Sequence, residues 1–220
     1  MKKTLILLFF SSFAASTTNI CAQNLRLQAP PGYNYIYTED FPKETDGSPY
    51  LDDWQPADVF LKNGKSILAL PMRYDVYNNK MIYKYNNKTY SIGAPDSISE
   101  IKFPNRVFVY KQKGTKNEKS YFEKLVNGKV CLFNQYEIKI IQPTYNVALN
   151  VGNKNSRLAL KEHLYIEQEN ALIMLSKKNQ LIDILIDKQQ KVTDYMNTEN
   201  LSYKEKDDVI KIISYYNQLQ

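Results

Sequence analysis

Residues 107–140 read VFVYKQKGTKNEKSYFEKLVNGKVCLFNQYEIKI, and this stretch decides the fold. Asn127-Gly128 stands between two runs rich in β-branched and aromatic residues. A two-residue type I′ hairpin needs positive φ at both central positions, and Asn-Gly is the pair that tolerates it best. A looser reversal centred on Gly114 joins 107–111 to 121–126, so three strands of an antiparallel meander are readable. With Asn127 and Gly128 as the loop, Val126 pairs with Lys129, Leu125 with Val130, Lys124 with Cys131, Glu123 with Leu132 and Phe122 with Phe133. Strand side chains alternate between faces. Val130, Leu132, Tyr136, Ile138 and Ile140 then share one face, and Lys129, Cys131, Phe133, Gln135, Glu137 and Lys139 the other. Glu123 opposite Leu132 breaks the pattern and points to a bulge, or to cover over the second face.

Upstream the same pattern repeats. Residues 58–61 turn at Asn63-Gly64 into 66–74, where Pro71 marks an edge position or a bulge. Residues 75–77 reach a turn at Asn78-Asn79, 80–85 turn at Asn86-Asn87 into 88–92, and 98–103 leads into the opening stretch. Asn accepts positive φ more readily than other non-glycine residues, so these pairs substitute for Asn-Gly. Short strands at intervals of about ten residues predict a meander that curls into a barrel-like or sandwich sheet. Past Ile140 the pattern loosens through Asn155, with brief strands expected at 163–166 and 171–175. From Lys177 the period turns helical: Leu181, Ile182, Leu185 and Ile186, then Val192, Tyr195 and Met196. Ser202-Tyr203-Lys204-Glu205 reads as a capping box that opens a last helix with the apolar stripe Val209, Ile212, Ile213, Tyr216 and Leu219. The expected class is α+β, mainly β: an antiparallel meander followed by a C-terminal helical segment. The boundaries are 1–22 signal peptide, 23–56 extended N-terminal segment, 57–176 antiparallel β domain and 177–220 helices packed on the sheet.

Met1-Lys2-Lys3, the apolar core LILLFF and the small residues up to Cys21-Ala22 have the form of a secretory signal peptide cleaved after Ala22. Its apolar run is too short to cross a bilayer, and no later segment approaches a membrane span. Thr18-Asn19-Ile20 make a poor lipobox, which disfavours lipid on Cys21. A periplasmic, outer-membrane-associated or secreted location is expected. Loss of Lys2 and Lys3 lowers the formal charge from +6 to +4, a mild balance that excludes a nucleic-acid footprint. Without Cys21, Cys131 has no partner in the chain and is expected to be a small buried hydrophobe in a strand. The 18 tyrosines carry no functional weight, because Asn, Lys, Ile and Tyr share AT-rich codons. Residues 24–54 read as irregular, with turn signals at Pro30-Pro31-Gly32 and Asp46-Gly47-Ser48-Pro49 and acidic pairs at Glu39-Asp40 and Asp52-Asp53.

Several local motifs stand out together: Gly47-Ser48-Pro49-Tyr50-Leu51, then Arg73-Tyr74-Asp75-Val76-Tyr77 after an Asn63-Gly64 turn. Phe108-Val109-Tyr110, Tyr121-Phe122-Glu123-Lys124-Leu125 with Gly128, and the closing Tyr215-Tyr216-Asn217 complete the set. In these the chain resembles a group of uncharacterised exported proteins common in Bacteroidetes-type bacteria. The resemblance implies a compartment and an order of elements, and no activity.

Catalytic chemistry has little to stand on. His163 is the one imidazole, so a Ser-His-Asp or Cys-His site must use it, and Cys131 with His163 is the pair to test. No CxxC, HExxH, calcium loop or phosphate-cradling glycine loop is present, so no metal or cofactor is expected. Arg73-Tyr74-Asp75 follows an apolar strand. Arg73 and Asp75 share a face, where they pair with each other or with a ligand carboxylate. Three readings remain. The leading one is a non-enzymatic envelope protein that binds or scaffolds another envelope protein at the periplasmic side of the outer membrane. The second is a small-ligand or glycan-binding domain using Trp54, Arg73, Tyr74 and Asp75. The third is a hydrolase using paired carboxylates or Cys131 and His163.

Overall fold

A computed structural model describes residues 34–42, 45–114, 118–146, 148–168 and 171–219. The signal peptide at 1–22 and the Pro30-Pro31-Gly32 turn lie outside these described residues. Twelve strands form one sheet. They are β1 (Asn34–Ile36), β2 (Thr45–Asp46), β3 (Gln55–Leu61), β4 (Ser66–Asp75), β5 (Lys80–Tyr85), β6 (Lys88–Ile92), β7 (Ile98–Lys102), β8 (Val107–Lys113), β9 (Glu118–Val126), β10 (Leu132–Ile141), β11 (Ser156–Gln168) and β12 (Ala171–Met174). Helices α1 (Lys178–Ile184), α2 (Gln189–Thr198) and α3 (Lys206–Gln218) follow. The meander read from the sequence is present in two runs: β3 to β6 and β7 to β11 pair antiparallel in sequence order, β7 joins β3 and not β6, and among the described strands only β2–β11 and β12–β8 run parallel.

Strand β8 is where the sheet divides. On one side the wing β7-β3-β4-β5-β6-β1 continues from it. On the other, β8-β9-β10-β11-β12 return to β8 through Leu172 opposite Lys113, with the Gly114 N–H donating to Leu172 O at 2.8 Å, and so make a ring. Each ring strand sends one buried apolar or aromatic side chain into the ring core: Val109, Phe122, Phe133, Tyr165 and Leu172. The opposite faces of β8, β9 and β10 carry Phe108, Tyr121 and Tyr136 into a second core with Met72, Tyr74 and Met81 of the wing. These strands therefore bury both faces, and five consecutive residues at the start of β10 are all buried. The second face is covered along the first half of the strand, where Phe133 and Gln135 are buried, while Glu137 and Lys139 further along are half-buried and exposed. A third core joins Val126, Leu132 and Ile166 to Leu181, Val192, Val209, Ile212, Ile213 and Tyr216 of the helices.

Several local expectations hold. Asn86 and Asn87 both have positive φ (48° and 59°) and turn β5 into β6 with Tyr85 opposite Lys88. Pro71 lies just before β5 begins to pair with β4, beside a bulge in the β3–β4 ladder. The Asn127-Gly128 hairpin is different from the two-residue turn expected. Val126 pairs with Leu132 across a five-residue connection, the ladder is bulged at Leu132/Phe133, and Glu123 faces Asn134 instead of Leu132. Gly128 does not take the positive φ of a type I′ turn; it lies where Asn217 crosses, and an added Cβ would sit 2.4 Å from Asn217 Nδ2. Asn217 uses both ends of its amide on Val130, accepting from its N–H at 3.0 Å and donating to its carbonyl at 2.9 Å. Close approach, not turn geometry, requires glycine there.

The capping box also resolves differently. Helix α3 starts at Lys206, and Glu205 is its N-cap with no side-chain cap bond. Asp208 instead reaches back to accept from the Ser202 N–H at 2.9 Å. Strand β11 runs 13 residues where only a brief strand at 163–166 was expected. Cys131 lies just outside β10 and is half-buried, not enclosed in a strand, with its thiol directed to Gly128 O at 3.4 Å.

A candidate binding site at the start of strand β3

The segment before β3 supplies the frame. Tyr50 bridges Asp75, the Leu51 N–H donates to Tyr74 O, and the Val76 N–H donates to Pro49 O, so residues 49–51 extend the β4 ladder. Strand β3 takes over at Gln55 opposite Met72. Asp52, Asp53 and Trp54 lie between these two pairings and bow out of the ladder. A cavity of about 120 Å³ opens there, lined by Leu51, Asp52, Asp53, Gln55, Arg73 and Tyr74 on one side and by Phe103, Asn105, Arg106 and Phe108 from the β7–β8 connection on the other.

Arg73 is the central cation. Its guanidinium carbon lies 3.3 Å from the Tyr50 ring centroid and 4.5 Å from that of Trp54. Such stacking suits the flat, weakly hydrated guanidinium. The side chain is 15% exposed, and its one ionic partner among the described residues is Glu39 at 3.5 Å, itself 54% exposed. Arg73 Nε is buried with no acceptor among the described residues. Arg106, by contrast, is engaged on both sides, by Asp52 and by Glu123 at 3.4 Å. Glu123 also accepts from Tyr136 Oη at 2.5 Å; burial, then this bond, pushes the Tyr136 hydroxyl well above its ordinary range.

Arg73 and Asp75 share a face, as expected, but they do not pair. Asp75 is fully buried and accepts from Tyr37 Oη at 2.7 Å, Asn78 Nδ2 at 2.9 Å and the Asn78 N–H at 3.0 Å. Burial first, then the bonds to Tyr50 and Asp75, drives the Tyr37 hydroxyl up so that it stays a donor. Asp75 is thus a structural anchor for the N-terminal segment. Tyr74 points to the core, packs on Phe108 and Tyr121, and donates to Asn79 Oδ1 at 2.9 Å. Of the four residues expected to bind ligand, Trp54 and Arg73 are brought together, Tyr74 forms part of the floor, and Asp75 is turned elsewhere. Sequence reasoning missed Arg106 and Asn105, which enter the cavity from the Phe103-Pro104-Asn105-Arg106 reversal.

Cys131 and His163 do not meet. The Cys131 carbonyl accepts from the Glu167 N–H, whereas His163 faces Gln135, four residues away along β11. At about 3.3 Å per residue that is roughly 13 Å. His163 Nε2 instead contacts Glu137 Oε2 at 3.0 Å. Burial raises the Glu137 carboxyl, but the His163 bond and the nearby Lys139 outweigh it and leave Glu137 below its ordinary value. No group of three metal-ligating side chains comes together among the described residues, and no helix there is long and apolar enough to cross a membrane. Neither protein-family models, curated proteins nor solved structures match this chain.

Proposed function

We propose that this chain is an exported, non-enzymatic binding protein of the cell envelope whose cavity beside Trp54 receives a carboxylate from a partner protein. The observation that carries this reading is Arg73: a guanidinium clamped by two rings, lining a cavity, with a buried Nε that has no acceptor among the described residues. A buried donor left unpaired costs about 1–3 kcal/mol. A carboxylate that reaches it satisfies that donor and gains the planar, charge-assisted geometry arginine offers. The volume is ample for one such group. Asp53 stands exposed at the rim with no ion-pair partner among the described residues. A ligand with a donor beside its carboxylate answers both charges, as a peptide C-terminus does with its amide N–H.

Two features weigh against the other readings. A glycan platform needs a free aromatic face, but the Trp54 ring already carries Arg73 and Lys84, each 4.5 Å from its centroid. A Ser- or Cys-based hydrolase needs its nucleophile and base in the cavity, and among the described residues no Ser, Cys, His or Lys lines it; of the two carboxylates there, Asp52 is engaged by Arg106 and Asp53 stands exposed at the rim. The signal-peptide pattern and the resemblance to exported proteins support the compartment.

Trp54 is the single tryptophan, so its emission reports directly on Arg73. Titration of the mature chain with acetate and with N-acetylglycine should give a saturable change in fluorescence, stronger for N-acetylglycine. Arg73→Leu should abolish it, and Arg73→Lys should weaken it. No saturable change, or the same change in Arg73→Leu, would sink the reading. For the compartment, N-terminal sequencing should find a chain beginning near Gln23; Met1 on soluble cytosolic protein would contradict export.

A further inference from the structure

The β10–β11 hairpin carries a second surface, independent of the cavity. Its ladder is ten residue pairs long, from Leu132 opposite Ile166 to Ile141 opposite Arg157. Ladder contacts from β9 stop at Asn134, and those from β12 stop at Tyr165. The distal half is joined to other strands only through the short β2 pairing at Ser156 and Arg157. Beyond it the connecting loop is tied by specific bonds. Asn146 and Val151 form a bridge, the Thr144 N–H donates to Asn153 O at 3.0 Å, and Tyr145 Oη donates to Asn150 Oδ1 at 2.6 Å. Asn150 takes φ 50°, and Gly152 takes φ 99° where a Cβ would lie 2.4 Å from Thr144 O.

This ordered loop holds large apolar side chains in water. Leu149 is 70% exposed and Val151 56%; Leu160 and Ile141 on the hairpin below are also exposed. The charge within the segment that carries them has one sign. Residues 141–161 contain Lys154, Arg157 and Lys161 and no acidic residue. None of the three has a carboxylate at ion-pair distance among the described residues, although Asp46 of β2 stands opposite Arg157 and Glu137 of β10 stands opposite Lys161 in the ladders. Lys139, lower on the hairpin, is partnered by Glu137. Tyr145 sits half-buried at the base of the loop with the Lys154 ammonium 4.7 Å from its ring centroid.

We propose that this loop seats the protein on an anionic lipid surface, with Leu149 and Val151 entering the headgroup boundary and Lys154, Arg157 and Lys161 facing lipid phosphates. Apolar insertion alone or basic attraction alone is weak, and stable peripheral binding needs both signals together. Both are present here within one short segment. Tyrosine and lysine at the base match the residue types that settle at the membrane–water boundary. An acidic protein surface would satisfy the three cations but would give no reason to hold Leu149 and Val151 outward on a hydrogen-bonded frame.

Vesicle flotation of the full mature chain tests this, with phosphatidylcholine vesicles made with and without phosphatidylglycerol. Binding is expected only with phosphatidylglycerol, and it should fall as salt rises. Lys154→Gln, Arg157→Gln and Lys161→Gln should each reduce partition about fivefold. Leu149→Ser combined with Val151→Ser should abolish the binding that persists at moderate salt. All these positions are exposed, so unchanged circular dichroism and melting are expected. Absence of binding to the anionic vesicles overturns the proposal, leaving an acidic protein as the partner to seek. Binding that survives in the Leu149/Val151 variant overturns it as well. So does an equal loss in a control with Lys62, Lys65 and Lys88 changed to Gln, because that result would show net charge acting without the loop.

Discussion

Replacing Ile213 by Ala tests whether the C-terminal helices are part of the fold or an appendage. Ile212 and Ile213 have no exposed surface, and they meet Leu132 and Ile166 of the sheet together with Leu181 and Val192 of the preceding helices. Ile→Ala deletes three carbons at about 0.8 kcal/mol each. Incomplete closure of the cavity raises the total to roughly 3–4 kcal/mol, within the range of about 2–5 kcal/mol for such truncations. An isolated helix of this length is marginal in water, so α3 owes its order to that packing. Urea unfolding of Ile212→Ala and Ile213→Ala should lower the midpoint at constant m-value. Lys211→Ala, exposed on the same helix, should stay within about 0.5 kcal/mol of wild type. The double variant need not be the sum, because adjacent residues share a cavity. A deletion from Leu201 onward should expose the face of β9, β10 and β11 beneath the helix and unfold at a far lower midpoint. If Ile213→Ala is neutral, or the deletion unfolds at the wild-type midpoint with the wild-type m-value, the third core does not contribute to stability and the reasoning fails.

Gly128→Ala should cost about 1–3 kcal/mol by displacing the Asn217 amide from Val130. In an Asn217→Ala background the same change should cost much less, and equal costs in both backgrounds would refute the close-approach argument. Asp187 is held below its ordinary value of 3.8 by the hydrogen bond from Lys129 and then by that from Tyr216. Its contribution is therefore present above that value and is lost as pH falls through the lowered one. Asp187→Asn should flatten the melting-temperature slope in that acidic window, and an unchanged slope would refute the linkage. The same partners, Asp187 first and Tyr216 second, raise Lys129 above 10.5, so its contribution is lost only as pH rises through the raised value. Cys131→Ala should cost under about 1.5 kcal/mol, as expected for a small half-buried side chain, and should leave carboxylate binding unchanged; loss of the Trp54 response in that variant would tie the thiol to the site.

Turn chemistry was the most legible part of the fold. Asn86-Asn87 could be read because the turn demands positive φ at two adjacent residues and supplies it locally. Asn127-Gly128 has the same local signature, yet its glycine answers a residue 89 positions later, at Asn217, which no local pattern records. Strand β11 was hidden for a related reason. Its sequence SRLALKEHLYIEQ places Glu162 on the face shared with Leu158, Leu160, Leu164 and Ile166, which breaks the alternation of an amphipathic strand. Glu162 is tolerated because Asn134 at 2.8 Å and Lys206 at 2.6 Å both donate to it. The burial of both faces of β10 was equally unreadable, since a ring and a curled wing must share the strand before its polar residues become interior ones. At the site, Trp54 and Arg73 stood out by residue type. Arg106 and Asn105 did not, because only the close passage of the β7–β8 connection gives them a role.

The residues behind the resemblance to exported proteins fall into three contacting sets in space. Residues 49–51 pair with 74–76 through Tyr50 with Asp75, Leu51 with Tyr74 and Pro49 with Val76. Phe108, Val109 and Tyr110 face Glu123, Phe122 and Tyr121 across the β8–β9 ladder. Gly128 receives Asn217. Each set joins parts of the chain that must be fixed before the next layer can pack: the N-terminal segment on the wing, the wing on the ring, and α3 on the sheet. Of the residues that line the cavity, these sets include only Leu51, Arg73, Tyr74 and Phe108. Asp52, Asp53, Asn105 and Arg106 lie outside them, as does the whole of 139–161. Those motifs hold Arg73 and Tyr50, one of its two rings, but not Trp54, the other. On the proposed binding role, ligand preference falls to the bowed-out residues Asp52 and Asp53 and to Asn105, which that docking does not constrain. Exchange of Asp53 and Asn105 should accordingly alter which carboxylate the Trp54 signal reports while leaving the urea midpoint nearly unmoved, since both side chains are exposed. A large drop in stability from either exchange would show that the rim of the cavity belongs to the scaffold after all.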